Sequence, residues 1–445
     1  MTNHRTLREK LVPDFLEELE RPNFKSEPHP GSDREPRLVH ALVQNASDAG
    51  ASDIHIEPRS ANATVRFRID GVIADVANIT TSQSKVVINQ FKAVANLDPV
   101  AIFIPKDAHA RSVTKTGPLD LRLALTPSES GEALVVRLLD HKRLQRSIDD
   151  LGLATDDLRL LEGWIENGAG MFLAAGPTGC GKTTTVYSLL HEFKSADRAI
   201  VTLEDPVEYQ IDGIVQVQLD QRHHLNFGEG IKQMLRLDPD FLMLGEIRDA
   251  ASARAAVDAA ISGRALLSTL HCRDAVGAVT ALRNWGLYDH EIAEALSVVV
   301  GQRLVRRLCA HCRRTRHLTQ KELHWFSAVG LPAPKQVTDA AGCGKCGHIG
   351  YSGRTGIFEL WRLNEADYEA ILKHGDEHAL RRANAERQPR SILADGLAKV
   401  LGGITSVSEL QRASSGFFPS QTLVPARSKR PGRNSRNRLP VPSGT

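Results

Sequence analysis

The chain has 445 residues, too many for one ordinary core, so two or three domains are expected. Hydrophobic residues make up 41% and charged residues 24%, as in a globular protein; "MTNHRTLREK" lacks a signal-peptide core, and no apolar run reaches the ~18 residues of a membrane span, so the cytoplasm is the expected compartment. The net charge of +3 is unevenly spread, because no acid follows Glu409 while Arg427, Lys429, Arg430, Arg433, Arg436 and Arg438 crowd the end.

Residues 7–20, "LREKLVPDFLEELE", set Leu7, Leu11, Phe15 and Leu19 at helical spacing, with Pro13 interrupting, which predicts a short, kinked amphipathic helix. The Pro-rich, charged run 21–36 reads as a linker and closes a first segment, 1–36. Residues 37–146 read as a small α+β domain. A helix over "RLVHALVQNASDAG" ends at Gly50, and strands follow in "SDIHIEP", "TVRFRIDG", "DVAN", "LDLRLALTP" and "ALVVRLLD". From 147 to 302 strands and helices alternate, which predicts a parallel sheet. Residues 303–360 hold four cysteines, 361–412 read as a helical region, and 413–445 as a basic tail too poor in apolar surface to offset its ordering entropy. That tail is a solvated end in the plainer reading and a contact for anionic lipid or nucleic acid in the other.

Function is written most densely in "AGMFLAAGPTGCGKTTTVYSLLHEF". An apolar strand runs into Gly176, Pro177, Thr178, Gly179, Cys180, Gly181, Lys182, Thr183 and Thr184, which contain G-x-x-x-x-G-K-T and open an amphipathic helix. Glycines let backbone N–H groups close around phosphate oxygens, and the helix N-terminus adds donors and dipole. Lys182 has the reach for the β- and γ-phosphates, and the Thr183 hydroxyl can ligate Mg²⁺; Cys180 is a small filler. Two further apolar strands deliver acids, Glu204 and Asp205 in "AIVTLEDPVEY" and Glu246 in "DPDFLMLGEIRD". At the carboxyl ends of parallel strands such acids converge on the phosphate crevice. For Asp205 and Glu208 a capping or solvated carboxylate is an equal reading. His271 ends a third strand, "RALLSTLH", where it can sense a γ-phosphate.

"LVRRLCAHCRRT" alone suggests a zinc finger on DNA. Cys309 and Cys312 are matched, thirty residues on, by Cys343 and Cys346. Four thiolates can hold Zn²⁺ tetrahedrally with no open position for chemistry. An iron–sulfur cluster and reduced structural cysteines are the alternatives. Six cysteines of which four form two hooks suit a metal site in a reducing compartment better than disulfides.

Taken together, "GPTGCGKTTT", "TLEDPVEYQIDGIVQVQ", "LRLDPDFLMLGEIRD" and "LLSTLHCRDA" resemble the Walker A, Asp-box, Walker B and His-box segments of the traffic ATPases of type II secretion and type IV pilus assembly. The resemblance extends to "SDIHIEP…VRFRIDG" and "CGKCGHIGYSGRTGIFEL" and spans roughly residues 37–412. It implies an α/β fold in which a RecA-like P-loop ATPase core with a parallel sheet follows a small α+β (PAS-like) sensing domain and carries a tetracysteine zinc subdomain. ATP, Mg²⁺ and Zn²⁺ are the implied cofactors. By resemblance Lys182 and Thr183 hold phosphate and Mg²⁺, Glu204 positions or activates the attacking water, Glu246 supports Mg²⁺ through water, and His271 contacts the γ-phosphate; the two glutamates are assigned jointly. Arg122 in "LDLRLAL" and Arg137 in "LVVRLLD" match arginines that reach the nucleotide when the domains close; pairing with carboxylates on the strand face is their alternative reading. The implied assembly is a homo-hexamer, peripheral to the inner membrane, working on a membrane platform protein and indirectly on pilin or pseudopilin. Four cysteines favour the secretion or pilus-extension branch over the retraction branch.

The chain departs from that pattern at Gly263-Arg264, where Gly-His is usual, and at Cys272-Arg273, where Thr-Asn is usual. Glu229 and Lys232 in "FGEGIK" also replace arginines. Residues 7–20 are the remaining candidate for platform docking. Two other readings stay open: a nucleotide-gated scaffold with little turnover, and a nucleic-acid-binding ATPase of the DNA-uptake or conjugation type. The second is disfavoured by an aromatic content of 5%, which leaves few stacking platforms.

Overall fold

A computed structural model describes residues 11–21, 36–100, 105–140, 145–194, 197–219, 227–381 and 391–415. The first domain follows from alternation. Strands β1 (Ala51–Pro58), β2 (Asn62–Ile69), β3 (Val72–Thr80), β4 (Lys106–Thr114), β5 (Gly117–Ser128) and β6 (Gly131–Leu139) form one antiparallel sheet in the order β3-β2-β1-β6-β5-β4. Leu119, Leu121, Leu123 and Leu125 of β5 point to one side with Ile54, Ile56, Val65, Phe67, Leu134 and Val136. Helices Arg37–Asp48 and Thr81–Val94 bury that side. The second opens on a capping box between Thr80 and Gln83.

Among the described residues, 11–20, the expected kink is not seen. The helix begins at Pro13, where the missing proline N–H would have had no partner anyway; residues 7–10 lie outside the described residues. Its apolar face is not free for docking either. Val12, Phe15 and Leu19 are buried on the first domain, the Phe15 N–H donates to Asn45 Oδ1 at 3.1 Å, and Asn45 Nδ2 donates to Asp14 Oδ2 at 2.9 Å.

The second sheet contains β7 (Gly170–Ala175), β8 (Ile200–Glu204), β9 (Val215–Gln218), β10 (Phe241–Ile247), β11 (Ala265–Leu270), β12 (Leu296–Leu308) and β15 (Tyr351–Arg362), in the order β15-β12-β7-β11-β10-β8-β9. All neighbours run parallel except β12 and β15. A parallel sheet must be covered on both faces. Met171, Leu173 and Ala175 accordingly pack under helices Ala250–Ile261, Gly277–Asn284 and Asp289–Ala295, while Phe172 and Ala174 pack under Thr155–Asn167 and Lys182–Phe193. This is the RecA-like α/β core.

The boundary expected between residues 302 and 303 falls inside β12, and that between 360 and 361 inside β15. The cysteine-bearing segment therefore leaves the core sheet from one strand and returns by its antiparallel partner. Between them lie helix Gln320–Ala328 and a two-stranded ribbon of β13 (Arg314–His317) and β14 (Gln336–Asp339). Helices Ile392–Leu401 and Val407–Ser414 pack on Val305, Phe326 and Ile357.

Most of the arginines around the first hook are engaged within the chain. Arg306 pairs with Glu409 (Nη2 to Oε1, 2.7 Å) and stacks 4.1 Å above the Tyr351 ring. Arg313 donates to Gly403 O at 2.8 Å, and Arg316 pairs with Glu322 and Asp339. Arg307 and Arg314 remain exposed. Among the described residues no helix is long and apolar enough to cross a membrane.

Burial would raise the Glu409 carboxyl, but hydrogen bonds from Arg412 and Arg306 outweigh it and hold the group at about 2, below its ordinary 4.5. A folded-state value below the unfolded one stabilises the protein above the unfolded value and ceases to do so as pH falls through the folded one. Glu409→Gln should destabilise the protein at neutral pH by about 3–5 kcal/mol, since it breaks a buried pair. In denaturant titrations the gap from wild type should shrink from pH 4.5 toward pH 2.

Candidate active site

The loop after β7 is shaped from below. Gly176 N–H donates to Leu270 O of β11 at 3.2 Å. Gly181 is left-handed, with φ of 92°, and a Cβ there would lie 2.8 Å from Gln302 Nε2. Gln302 is buried on β12; its Nε2 donates to Cys180 O at 2.9 Å and its Oε1 accepts from Thr185 Oγ1 at 2.8 Å. One amide thus holds both the loop and the first turn of helix Lys182–Phe193. The loop crest, Pro177, Thr178 and Gly179, is exposed, with Thr183 and Thr184 half-buried behind it. Cys180 is buried, and burial pushes its thiol up, as befits a filler rather than a nucleophile.

Lys182 Nζ donates to Gly176 O at 2.8 Å and Pro177 O at 3.2 Å, and lies 3.5 Å from His271 Nδ1. Burial lowers its pKa. From there a polar chain crosses the carboxyl ends of four adjacent strands in spatial order. His271, after β11, sets Nε2 2.9 Å from Glu246 Oε1 at the end of β10. Glu246 Oε2 accepts from Arg248 Nε at 3.0 Å, and Arg248 Nη1 donates to Asp205 Oδ2, just after β8, at 2.9 Å. The structure therefore brings Lys182, His271, Glu246 and Asp205 together.

Glu204 is held apart from this chain. It is 2% exposed; Tyr187 donates its hydroxyl to Oε2, while Thr202 Oγ1 and Gln216 Nε2 donate to Oε1 at 2.6 and 3.2 Å. The two expected acids thus sit in opposite surroundings, one open to the loop and one sealed.

Arg122 and Arg137 stand on the outer face of the first sheet, in a row that runs His109, Arg122, Arg137, Asp53, Arg68 across β4, β5, β6, β1 and β2. Arg137 Nε lies 3.1 Å from Asp53 Oδ1 and Arg68 Nε 3.4 Å from Oδ2. Arg122 and Arg137 are directly opposed, a like-charge pair that costs a sheet stability, while Asp53 offsets Arg137 and Arg68. Among the described residues no hydrogen bond or ion pair joins Arg122 or Arg137 to the phosphate loop. Of the positions that depart from the family pattern, Glu229 and Lys232 pair with each other at 3.1 Å, and Arg264 donates to Pro239 O at 3.2 Å.

Cys309, Cys312, Cys343 and Cys346 place their sulfurs within 4.8 Å of one another. Three of the separations are 4.0, 3.8 and 3.8 Å, and a tetrahedron with metal–sulfur bonds of ~2.3 Å has edges of ~3.8 Å. Burial would raise the Cys346 thiol, but backbone N–H groups of Cys343 and Gly350 point at its sulfur, both at 3.2 Å, and bring it to about 7. The set can chelate a metal. Cys272 takes no part; burial pushes it up to about 12.

Residues 31–412 match the family model described as type II/IV secretion system protein. The chain belongs to that family. Type II secretion system protein E of Aeromonas hydrophila is 37% identical over 378 residues, covering 85% of this chain and 75% of the relative. Type II secretion system ATPase E of Vibrio cholerae is 38% identical with the same coverage. Among solved structures, the ATPase DotB of Legionella pneumophila superposes with a TM-score of 0.63 at 19% identity, over 88% of this chain and 98% of that one. The pilus retraction motor PilT with bound ADP gives 0.56 at 21% identity, over 84% and 96%. As a member of this traffic ATPase family the chain is an ATP-hydrolysing motor enzyme.

Gln302, Tyr187, Gln216 and Arg248 were not among the expected site residues. Gln302 did leave a trace, as a lone amide in the apolar run "LSVVVGQRLV". Gln302→Ala removes both of its bonds, and a buried hydrogen bond contributes about 1 kcal/mol. Nucleotide affinity should fall by about tenfold, measured by titration with a fluorescent ATP analogue.

Proposed function

We propose that this chain is a hexameric motor that drives assembly of a type II secretion pseudopilus or type IV pilus. Domain closure on ATP would transmit force to an inner-membrane platform protein. The observation that carries the reading is the polar chain Lys182–His271–Glu246 at the carboxyl edge of the core sheet, directly beside the phosphate loop. Lys182 and the loop N–H groups would bind the β- and γ-phosphates, Thr183 and Glu246 would hold Mg²⁺, and His271 would meet the γ-phosphate. The metal would neutralise charge on the phosphates. Lys182 would first exchange its two loop carbonyls for phosphate oxygens.

Arg122 and Arg137 would supply the positive charge that the transition state develops, once the first sheet swings its arginine row onto the nucleotide. The four cysteines would hold Zn²⁺ as a structural staple with no reactive position. The platform protein would keep the motor at the cytoplasmic face of the membrane, and pilin-like subunits would be moved indirectly. Nucleic acid is the least favoured partner, since the arginines near the first hook mostly serve contacts within the chain.

Glu246→Gln should lower ATP turnover by at least about a hundredfold, the scale of a lost catalytic proton-transfer or metal-supporting group, while nucleotide still binds. Turnover within a few-fold of wild type would overturn the assignment. Cys343→Ser should release bound zinc, read by metal analysis of the purified protein, and lower the melting temperature without removing nucleotide binding.

A further inference from the structure

Glu204 ends β8 beside the strand that carries Glu246, so its carboxylate is the natural second candidate for activating water. Its surroundings forbid that. Each oxygen is already an acceptor, for Tyr187 on one side and for Thr202 and Gln216 on the other, and the residue is almost fully buried. An ionised carboxylate is acceptor-only, and these donors satisfy it without water.

The donor on Oε2 is the informative one. Tyr187 lies on the helix that begins at Lys182, one and a half turns beyond the phosphate loop. Its ring packs 4.7 Å from that of Tyr209, and its oxygen also accepts the Glu208 N–H at 3.2 Å. Tyr209 in turn bonds His191 Nε2 at 3.1 Å, and Gln216 Nε2 also donates to Tyr209 O at 3.0 Å. Glu204 is therefore the hub at which the phosphate-loop helix, the end of β8, the 205–211 turn and edge strand β9 are tied together. Burial and the Glu204 charge push the Tyr187 phenol well above its usual range, so it stays a donor.

We infer that Glu204 is a positioning residue that acts through the Tyr187 hydroxyl, fixing the phosphate-loop helix against β8 so that Lys182 and Glu246 face one nucleotide. Water activation then falls to the Glu246 side of the site. This rests on the ATPase reading above, which turnover by the wild-type chain and its loss in Lys182→Ala test separately.

Glu204→Gln cannot discriminate the two roles, because an amide both removes a base and sets a donor against one of the existing donors. Tyr187→Phe can. It keeps the ring against Tyr209 and deletes only the hydroxyl, which frees Glu204 Oε2. A positioning role predicts that kcat falls by about tenfold to a hundredfold, the range for a lost hydrogen bond to a charged group. KM and the affinity for a fluorescent ATP analogue should change by less than about threefold, and Tyr187→Phe should add nothing in a Glu204→Gln background, since both changes break one bond. A base role predicts unchanged or raised kcat in Tyr187→Phe, or effects that multiply in the double variant, and either result overturns the inference. Thermal melting checks that the variants fold. Should Tyr187→Phe not fold, the pH profile of kcat rather than its size is compared between wild type and Glu204→Gln: an acid limb that persists under a lowered kcat supports positioning, and its disappearance marks a lost base and overturns the inference.

Discussion

The buried amide of Gln302 is the constraint on which the nucleotide site depends. A phosphate loop is a strained run of backbone whose N–H groups must face outward, so its carbonyls and inner atoms need support from beneath. Gln302 meets Cys180 O and Thr185 Oγ1 from a strand far along the chain, and its own carbonyl accepts from Arg303 Nη1 at 2.8 Å. Arg303 Nη2 reaches Arg273 O at 2.6 Å, just after His271. Asp274 then takes both forks of Arg381, at 2.6 and 2.9 Å. The loop and the His-box turn are thus joined through one strand, β12, with Arg381 held on the turn, and the same strand runs on into the first cysteine hook.

That continuity gives the tetracysteine segment a physical meaning. It is an excursion between two hydrogen-bonded strands of the motor sheet, so a metal held by the four thiols would fix the ends of β12 and β15 together. It also touches the first domain. Asp70 accepts the Gly353 N–H at 2.9 Å, and Ile349 packs on the first-domain core. The segment therefore lies where a motion of the first domain against the motor would be felt. Of its arginines, which alone suggest DNA, Arg306 and Arg313 hold the C-terminal helices in place.

Surroundings, rather than sequence position, set the two glutamates apart. Both end parallel strands, and both follow apolar runs. Glu246 faces His271 and the loop, while Glu204 is sealed among a phenol, a hydroxyl and an amide. Local sequence could show that two acids reach the crevice edge, because strand-end placement follows from the apolar runs. It could not show which one faces the phosphate loop, since the donors to Glu204 come from a helix, a strand and an edge strand separately. The same limit hid Gln302, whose partner Thr185 is 117 residues away. Strand β4 and helix Thr81–Val94 also escaped notice, because "KDAHARSVT" and "TSQSKVVINQFKAV" are too polar to display a clear period. The phosphate loop and the cysteine hooks were legible because their chemistry demands fixed spacings. Pro13 is open to two readings in sequence, a kink inside an apolar period or a start at the first helical position, and the helix Pro13–Glu20 shows it at a start.

The central proposal is that ATP hydrolysis requires the arginine row of the first domain to reach a phosphate loop with which, among the described residues, Arg122 and Arg137 share no hydrogen bond or ion pair. Phosphate release by the purified full chain with Mg²⁺ and ATP, followed across protein concentration alongside Arg122→Ala and Arg137→Ala, tests it most directly. The account predicts specific activity that rises as the chains assemble, and a loss of at least about a hundredfold in either arginine variant with nucleotide still bound. Specific activity independent of concentration, or full turnover without both arginines, would contradict it.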